Sequence, residues 1–377
     1  MNVCLGATAL FKGRLNGKID GIGHYTEELT KYLTSASSVK DLNLVSFGVH
    51  VDSFNNSINS YVEGQYKFLN LRSVLTGRAF HVENNIIDRC DVFHSTDHMI
   101  PKFDSIPVVS TVMDVIPIVH PEYASRSLRG LKNYLFKKSI GWADKIITIS
   151  EYSKNEIVKH LKVNDQMVEV IPLGVDKSYF KLHRCETVNE IFKRYSLPEQ
   201  YFIFIGTIQP RKNLDRILLA HEEMHPSHRK QFPLVIVGNI GWGVNKLIKK
   251  IRYKESLGEV IWLQGIDDVS KRIILSQAVA LVFPSLYEGF GLPVLEGFAS
   301  GVPVITSNTT SLLEVASDSA YLVNPFSVKE IGAAMSEIVS SASTAQELIK
   351  KGLNRAKYFS WEETAQKTFL VYQKMIS

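Results

Sequence analysis

Residues 284–305 read PSLYEGFGLPVLEGFASGVPVI, and this stretch decides the fold. It follows an apolar run and opens with a glycine-rich loop that contains Glu288. Pro293 suits the first turn of a helix, where its missing N–H costs nothing, and Gly301 and Pro303 end that helix before the next apolar run. The order predicts a strand–loop–helix unit whose helix N-terminus offers free amides and a partial positive charge to an anion.

The alternation of short apolar runs with amphipathic stretches continues through the whole chain of 377 residues. This rhythm is typical of α/β proteins in which helices cover parallel sheets, and the length suits two domains. Asp176–Pro198 shows little periodicity and many charged and turn residues, so we place the connection there, between domains at 1–178 and 179–377. Ligands of such sheets lie beyond the carboxyl ends of the strands, so we expect two Rossmann-like domains that face each other across a binding cleft.

The predicted strands are short apolar runs, and the predicted helices are the amphipathic stretches between them. In the first domain we predict strands at Asn2–Ala7, Leu42–Val49, Val92–His94, Val108–Val112, Lys145–Ile149 and Val168–Ile171, helices at Gly23–Leu33, Leu128–Trp142 and Tyr152–Leu161, and a loop at Ser53–Ser60. In the second we predict strands at Tyr201–Ile205, Leu234–Val237, Val260–Leu263, Ala280–Phe283 and Val302–Thr306, and a last helix near Trp361–Ile376 that could return to the N-terminal domain.

The composition excludes several classes of protein. Hydrophobic residues make up 45% and charged residues 21% of the chain, as in folded globular proteins rather than disordered or fibrous ones. The formal net charge of +5 could favour an anionic ligand or membrane surface but is too weak to indicate nucleic acid. Cys4, Cys90 and Cys185 are widely spaced, which suggests reduced thiols. With no basic leader and no long apolar run, the sequence predicts a cytoplasmic protein that could touch a membrane without crossing it.

Two carboxylates flank the predicted helix start. Glu288 precedes the glycine-rich turn, and Glu296 lies about one turn into the helix. The glycines would let the backbone approach a pyrophosphate closely, whereas carboxylates repel phosphate but accept hydrogen bonds from diols. One glutamate could therefore hold a sugar and the other a ribose. The alternative is an ordinary exposed loop with two chance glutamates.

Seven residues separate Glu288 from Glu296, and this spacing, with the surrounding glycines and Pro293, resembles the glutamate pair of retaining glycosyltransferases of family 4. That family has the GT-B fold. The resemblance implies that Glu288 contacts the transferred sugar and that Glu296 contacts the ribose. It also places the following loop residues around the donor: Gly289, Phe290, Gly291 and Leu292.

The segment FIGTIQPRKNL, residues 204–214, runs from a predicted strand into a helix. Gly206 permits a close turn, and Arg211 and Lys212 lie where a diphosphate could be met. Arginine supplies forked hydrogen bonds and lysine a point charge, so both would stabilise a leaving nucleoside diphosphate. The segment resembles the phosphate-binding basic pair of the family. Taken alone, it could equally be two solvated residues at a helix start.

Two weaker signals concern the donor. Gly21 and Gly23 join a loop to a helix in DGIGHY, which resembles the glycine loop of many family members, although GxG alone is more often a plain turn. The resemblance also places Gly265 and Ile266, in the loop after the strand Val260–Leu263, against the base through their backbone.

The segment Asp91–Ala124 also resembles the family, with one departure. Many members carry His-Asp after the strand in this segment, whereas this chain has Met113 and Asp114. The histidine cannot be carried over, so Asp114 is the remaining catalytic candidate here. His94 and His120 are weaker candidates, and each could equally be structural or solvated.

Two further stretches have competing interpretations. Residues 221–225, HEEMH, fit the HExxH zinc pattern, but Pro226 follows at once, and the stretch could instead continue the exposed face of a surface helix. Arg126–Trp142 interleaves basic and apolar residues. It could meet anionic lipid at a membrane surface, or it could cover the first domain with a solvated basic face.

As a whole, the resemblance implies a retaining, metal-independent hexosyltransferase with no cofactor other than its nucleotide-sugar co-substrate. GIGHY and MDVIPI are most similar to mannosyltransferases of surface polysaccharides such as O-antigen, so GDP-mannose is the first expected donor and UDP-sugars the second. The acceptor would be a glycan or a lipid-linked oligosaccharide, and nucleic acid is not expected. A sugar-nucleotide epimerase and a non-catalytic binding module of the same fold stay open as alternatives.

Overall fold

A computed structural model describes residues 1–17, 19–35, 39–49, 58–80, 89–97, 99–123 and 128–376. The chain divides into two compact units, Met1–Gly174 with Trp361–Ser377, and Val175–Ser360. The division lies shortly before the boundary expected at residue 178, because the Val175 amide already donates a hydrogen bond to the Phe359 carbonyl of the second unit. Each unit has a parallel sheet of its own.

The first unit contains a seven-stranded parallel sheet in the order β3-β2-β1-β4-β5-β6-β7. Val3, Cys4 and Leu5, in an interior strand of this sheet, are each 0% exposed, so this strand needs the continuous apolar run that the sequence shows. Six of the strands correspond to predicted segments. The strands are β1 Asn2–Gly6, β2 Asp41–Phe47, β3 Ile58–Val62, β4 Val92–Ser95, β5 Val108–Thr111, β6 Lys145–Thr148 and β7 Val168–Val170.

The exception is β3, which overlaps the loop predicted over Ser53–Ser60. Residues 58–60 pair in parallel with β2, whereas residues 53–57 lie outside the described part of the chain. The loop prediction was therefore wrong for its last three residues. The strand is at the edge of the sheet, where polar residues such as asparagine and serine are tolerated.

Helices connect the strands of the first unit. The predicted helices over 23–33, 128–142 and 152–161 are confirmed with small shifts of their ends, and the last turn of the second is a 3₁₀ helix, Ile140–Trp142. Three others were not predicted, because two have apolar positions that form no clear stripe and the third is only four residues long. The helices are α1 Thr8–Leu15, α2 Gly21–Ser35, α3 Tyr66–Thr76, α4 Ile116–Val119, α5 Arg129–Ser139 and α6 Glu151–Leu161.

The second unit contains a six-stranded parallel sheet in the order β10-β9-β8-β11-β12-β13. Five strands fall on predicted segments, and three of those have the predicted bounds. The sixth, which is three residues long, was not predicted. The strands are β8 Phe202–Ile205, β9 Leu234–Val237, β10 Val260–Leu263, β11 Ala280–Phe283, β12 Val304–Ser307 and β13 Tyr321–Val323.

One segment of the second unit differs from its prediction. Asp176–Pro198, expected to be an irregular connection, contains a 3₁₀ helix at Lys177–Phe180 and the helix α7. Only Ile191 of α7 is buried. The apolar residues Val188, Ile191, Phe192 and Tyr195 nevertheless recur at helical spacing, so the sequence contained a sign of this helix that the prediction did not use. The helices are α7 Cys185–Tyr195, α8 Leu214–Glu223, α9 Pro226–Gln231, α10 Asn245–Ser256, α11 Asp268–Ser276, α12 Leu292–Ala299, α13 Thr310–Ala316, α14 Val328–Ser340 and α15 Ala342–Ala356.

The last helix, α16 (Trp361–Ile376), belongs to the first unit. The Thr364 hydroxyl donates to the Pro172 carbonyl at 2.8 Å, and the rings of His24 and Trp361 meet edge to face at 5.8 Å. His94 lies between Tyr372 Oη at 2.6 Å and Thr111 Oγ1 at 2.7 Å, from its two ring nitrogens. These contacts join the helix to the core of the first unit.

Candidate active site

The carboxyl ends of β8 and β11 meet at one edge of the second sheet, since these strands are parallel neighbours. The chain leaves β8 through Gly206 into a 3₁₀ turn, Pro210–Lys212. It leaves β11 into a loop, residues 284–291, and then into α12, with Pro293 in the first turn as predicted. The sheet topology therefore brings the basic pair and the glutamate loop together.

Glu288 lies between the two cations. Its Oε2 accepts a hydrogen bond from Arg211 Nη1 at 2.6 Å, and its Oε1 is 2.7 Å from Lys212 Nζ. Arg211 Nη1 also donates to the Tyr287 carbonyl at 3.1 Å. Glu288 is only 7% and Lys212 only 9% exposed, so three charged groups share a largely dehydrated site. The alternative of solvated basic residues beside chance glutamates does not fit this geometry.

The pKa values of the group depend on burial and on its own charges. Burial raises the pKa of Glu288, but Arg211 and Lys212 outweigh burial and lower the pKa to about 2. Burial lowers the pKa of Lys212 to about 8, although the charge of Glu288 opposes that change. The ammonium of Lys212 also lies 4.6 Å from the centre of the Phe283 ring. Glu288 is thus firmly ionised, while Lys212 can lose its proton in mildly alkaline solution.

Backbone and side-chain contacts hold the two loops against each other. The Leu286 amide donates to the Arg211 carbonyl at 2.8 Å. Asn213 has φ +61°, and its side-chain amide donates to the carbonyls of Pro284 at 2.9 Å and Pro325 at 2.6 Å. No role for Asn213 was predicted from the sequence. An asparagine directly after the basic pair is a usable signal, because asparagine tolerates the left-handed conformation that ends such a turn.

Glycine is required at two places near this group. Gly291, which precedes α12, has φ +122°, and a Cβ there would lie 2.6 Å from a methyl group of Leu312. A Cβ on Gly238 would lie 1.9 Å from the carbonyl oxygen of Gly206, so the loops after β8 and β9 touch through their backbones.

The remaining residues of the glutamate loop are mostly covered. Gly289 is buried, and the ring of Phe290 is 4% exposed and packs edge to face on Phe359 at 5.9 Å. The hydroxyl of Ser311 donates to the carbonyls of Glu288 at 2.8 Å and Phe290 at 3.0 Å. Any contact of Phe290 with a donor would therefore involve its backbone. Leu292, at the helix start, is half-buried.

Glu296 lies on α12, and its ion pair is with Lys271 Nζ at 3.6 Å rather than with Arg211 or Lys212. It is still close enough that its charge raises the pKa of Lys212 slightly. In the loop after β10, Gly265 is exposed with φ +63° and Ile266 is half-buried. Both residues are thus accessible at the same edge of the sheet.

The candidate site residues of the first unit form hydrogen bonds or ion pairs with residues nearby in the sequence. The Gly23 amide donates to Asp20 Oδ1 at 2.8 Å, so the start of α2 is already capped, while Gly21 is exposed. Asp114 follows β5, is half-buried, and accepts a hydrogen bond from the Ile116 amide at 3.0 Å. His120 pairs with Glu122 at 3.0 Å near the surface.

His94 is a structural residue. It is 0% exposed, both ring nitrogens have partners, and burial lowers its pKa to about 3. The imidazole is therefore neutral and holds Thr111 and Tyr372 in place.

The HExxH pattern does not have the helical geometry that zinc chemistry needs. α8 ends at Glu223, and His225 instead caps α9 by accepting from the Ser227 amide at 3.4 Å. His221 is 1% exposed and bonded to the Phe232 carbonyl at 2.9 Å, so its predicted place on an exposed helix face was wrong. Its burial follows from a helix that packs Leu218 and His221 inward together. Within the described ranges, no group of three or more His, Cys, Asp and Glu side chains could hold a metal ion.

Comparison with known proteins gives these features a context. Residues 19–179 match the family described as Glycosyltransferase Family 4, and residues 188–355 match the family described as Glycosyl transferases group 1. Over 369 residues the chain is 28% identical to O-antigen chain mannosyltransferase B from Escherichia coli, a match that covers 94% of this chain and 96% of that protein.

Solved structures share the fold at lower sequence identity. A glycosyltransferase from Rickettsia africae matches with a TM-score of 0.74 and 15% identity over 100% of this chain and 98% of that one. HepE from Anabaena, solved in complex with UDP-glucose, matches with a TM-score of 0.72 and 14% identity over 99% of both chains. The predicted GT-B fold class is confirmed.

Proposed function

Since this chain belongs to the glycosyltransferases that join a family 4 domain to a group 1 domain, we propose that it transfers mannose from GDP-mannose to a glycan or lipid-linked oligosaccharide in surface polysaccharide synthesis. The observation that carries the proposal is the Arg211–Lys212–Glu288 group at the carboxyl ends of β8 and β11. Mannose is supported by the similarity to O-antigen chain mannosyltransferase B over nearly the whole chain.

In the proposed reaction, the bond from the sugar C1 to the diphosphate oxygen breaks, and its electron pair leaves with the nucleoside diphosphate. Negative charge grows on that phosphate, beside Arg211 and Lys212. An acceptor hydroxyl forms the new bond to C1 on the face from which the diphosphate departs, so the configuration is retained. The hydroxyl proton passes to the leaving phosphate.

Donor binding requires the two cations to exchange partners. In the structure both bind the carboxylate of Glu288, at 2.6 and 2.7 Å, and a diphosphate would offer them oxygens of the same charge sign. Glu288 then becomes free to accept hydrogen bonds from hydroxyls of the transferred sugar. The exchange keeps the net charge of the dehydrated site low in both states, which limits the cost of burying it.

We also propose that the transfer needs no metal ion. The paired charges of Arg211 and Lys212 supply the positive charge that a divalent cation supplies at other phosphate sites. No other cofactor is proposed, because the nucleotide sugar brings its own activated bond.

For the acceptor we propose the first unit. A cavity of about 600 Å³ lies at the carboxyl ends of β1 and β2, within the size range of small-molecule sites. Its lining includes Lys12, Asp20, Gln65 and Asp97, which could hydrogen-bond sugar hydroxyls. Asp114, which follows β5, remains a second candidate on the acceptor side.

The helix α5 supports a contact with an anionic membrane. Leu128, Leu131 and Tyr134 are 60%, 43% and 49% exposed, although all three are large and apolar. Lys132, Lys137 and Lys138 are exposed on the same helix, while Arg126 lies outside the described residues. Exposed apolar groups beside lysines suit the surface of an anionic bilayer. None of the helices described here has the length and apolar character needed to cross a membrane.

The membrane proposal has a direct test. Vesicles with anionic phosphatidylglycerol should sediment the protein, whereas neutral phosphatidylcholine vesicles should not. Leu131→Ser with Lys138→Ala should weaken this binding without lowering the unfolding temperature. Equal sedimentation with both vesicle types would contradict the proposal.

A cytoplasmic location is also proposed, since Cys4, Cys90 and Cys185 are all free thiols.

A UDP-sugar is the second candidate donor, because the similar HepE structure holds UDP-glucose. We would measure thermal unfolding with GDP, UDP, ADP, dTDP and CMP, with and without EDTA. A ligand at about a hundred times its dissociation constant adds roughly 2.7 kcal/mol of stability. An increase in the unfolding temperature with GDP that EDTA leaves unchanged supports the proposal. An increase with UDP alone would mean that the donor is a UDP-sugar. Loss of the shift in EDTA would contradict metal independence.

Product analysis separates the remaining alternatives. With donor and acceptor together, a transferase yields a longer glycan and a nucleoside diphosphate. An epimerase would convert the donor with no acceptor present, and a binding module would yield no product with either. Formation of an elongated, α-linked mannose product from GDP-α-mannose would support retention.

A further inference from the structure

The second unit contains a cavity that the proposed function does not use. Its volume is about 710 Å³, and it lies between the starts of α8 and α10. Gln209, Pro210 and Asn213 belong to one wall, and Lys246 and Lys250 belong to another. The lining residues described all belong to the second unit, and the volume lies within the range of small-molecule sites. The cavity is therefore a candidate binding site formed by one unit alone.

The helices that line this cavity cover the face of the sheet opposite to Glu296. The connections from β8 to β9 and from β9 to β10 step toward one edge of the sheet, whereas the connection from β11 to β12 steps toward the other edge. Because crossovers between parallel strands are right-handed, α8 and α10 cover one face, and α12, which carries Glu296, covers the other. A ligand of this cavity would therefore be distinct from a nucleotide whose ribose binds Glu296.

Positive charge dominates the cavity lining. Arg216, Lys246 and Lys250 are cationic, against one carboxylate, Asp215, among the lining residues described. Lys246 and Lys250 are four residues apart on α10, so their side chains lie on one face of that helix. A concave surface with excess positive charge attracts anions and raises their local concentration. The lining therefore favours a ligand that carries negative charge.

Arg216 is held in place at the cavity. Its Nη1 donates a hydrogen bond to Asn213 Oδ1 at 2.9 Å, and its guanidinium lies 5.4 Å from the centre of the Phe326 ring. The hydrogen bond uses one of the five N–H donors of the guanidinium, a group that can bind two oxygens of a phosphate at once. Because the side chain already has two partners that orient it, little conformational entropy is lost when an anion binds.

Lys250 is only loosely paired. Its Nζ lies 3.8 Å from Asp215 Oδ1 and 3.8 Å from Glu222 Oε2, and both distances are longer than an ordinary N–H···O hydrogen bond. The side chain of Asp215 is 63% exposed, so water weakens its attraction for the ammonium. A phosphate oxygen at hydrogen-bonding distance would be a stronger partner. Lys250 can therefore turn from these carboxylates toward a bound anion.

We propose that the cavity between α8 and α10 is a second anion site, in which Arg216, Lys246 and Lys250 bind the phosphate or pyrophosphate group of a ligand other than the donor. The volume leaves room for a further group attached to the phosphate. Two sources share this chemistry, a free sugar phosphate and the phosphate that joins a lipid carrier to its glycan. The second site goes beyond the proposed function and does not depend on which nucleotide sugar is the donor.

The test is a calorimetric titration with inorganic pyrophosphate, with and without saturating GDP. Because Arg211 and Lys212 also attract pyrophosphate, GDP is added to occupy the proposed donor site. The variants are Arg216→Gln and Lys246→Gln. Lys249→Gln is the matched control, since Lys249 is exposed on the same helix as Lys246 but lies outside the described cavity lining. Thermal unfolding of each variant shows whether the fold is intact.

We expect pyrophosphate to bind the GDP-saturated protein, and Arg216→Gln to weaken this binding by about tenfold or more, the range of a hydrogen bond to a charged group. Lys246→Gln should weaken it by about three- to tenfold and leave the affinity for GDP unchanged. Lys249→Gln should leave both affinities unchanged. If the GDP-saturated protein does not bind pyrophosphate, the second site does not exist. Equal weakening by Lys249→Gln would also overturn the proposal, because net charge alone would then explain the effect.

Two further probes, each added to the GDP-saturated protein, identify the source of the phosphate. Tighter binding of glucose 6-phosphate than of inorganic phosphate would indicate a free sugar phosphate. Tighter binding of farnesyl diphosphate than of pyrophosphate would indicate the phosphate of a lipid carrier. If neither attached group strengthens binding, the site takes up an adventitious ion only, and the proposal fails. If the parent protein binds neither GDP nor UDP, the proposed function fails, while the three variants still test the second site.

Discussion

Arg211 donates a 2.6 Å hydrogen bond to Glu288 inside a site that is nearly closed to solvent. A carboxylate of the protein is therefore bound to one of the two cations that, in the proposed function, bind the diphosphate of the donor. The diphosphate must compete with the Glu288 carboxylate for the cations. The nucleotide affinity therefore depends on the free energy needed to break the ion pairs of Glu288. This competition gives substitutions of Glu288 and Arg211 opposite expected effects on nucleotide affinity.

Glu288→Gln should bind GDP more tightly by about three- to tenfold, because the competing charge is removed from Arg211 and Lys212. Transfer should nevertheless fall by about a hundredfold or more, since the carboxylate no longer meets the sugar. The variant should be less stable alone and gain more from GDP in thermal unfolding. Calorimetry and a transfer assay measure both effects. The control is Glu347→Gln, on an exposed helix face, which should leave both quantities unchanged. Weaker GDP binding by Glu288→Gln would contradict the proposed competition between Glu288 and the diphosphate.

Arg211→Lys should weaken GDP binding by about tenfold, because lysine keeps the charge but cannot bond the phosphate and the Tyr287 carbonyl in the same way. The measurement is the dissociation constant by calorimetry at constant salt. Arg252→Lys is a matched control, since Arg252 is exposed and its contacts are with Glu255 and the ring of Trp262 rather than with the candidate site. An affinity unchanged by Arg211→Lys would show that the forked geometry is not used.

Nucleotide affinity should fall in alkaline solution. Burial lowers the pKa of Lys212 from 10.5 to about 8, so this cation is present below pH 8 and is lost as the pH rises through that value. The dissociation constant of GDP should then rise, by up to about tenfold per pH unit. Lys212→Arg should abolish this rise because arginine keeps its proton, whereas the exposed substitution Lys357→Arg should not. The same alkaline slope in Lys212→Arg would assign the titration to another group.

The stability of the chain should fall in mildly acidic solution because of His94. Burial lowers its pKa from 6.5 to about 3, so the unfolded chain binds a proton between those values that the folded chain does not. Stability is therefore retained above pH 6.5 and lost as the pH falls. The linkage relation gives a loss of about 2 kcal/mol between pH 7 and pH 5.

Denaturant unfolding at the two pH values measures this loss. His94→Gln should be less stable at pH 7 but lose less on acidification. The exposed substitution His228→Gln should behave like the parent. If His94→Gln loses as much stability as the parent between the two pH values, another group causes the effect.

The sequence predicted the central strands well for a physical reason. Strands such as β9 and β11 are buried on both faces, so their residues must form continuous apolar runs, and such runs are visible without a structure. The edge strand β3 was missed because it contains polar residues and has no continuous apolar run. The helix α7 was missed although its apolar residues recur at helical spacing, because the charged and turn residues of the segment were given more weight. Among the strands, burial rather than propensity decided which could be found.

The candidate site was predicted as a set of residues but not as an arrangement. Arg211, Lys212 and Glu288 were identified from two motifs far apart in the sequence, and parallel neighbouring strands bring them together. The ion pairs among these three side chains could not be foreseen, since they depend on side-chain distances.

The return of α16 to the first unit has a consequence for synthesis. The ribosome makes Met1–Gly174 before the second unit, but it makes Trp361 and Tyr372, which complete the core around His24 and His94, only after the second unit. The second unit, made from one continuous segment, can fold while the first still waits for its last helix. At translation rates of about 5–20 residues per second, this wait is on the order of ten seconds or more. The N-terminal unit is thus the last to mature, and a chain terminated early would leave it open.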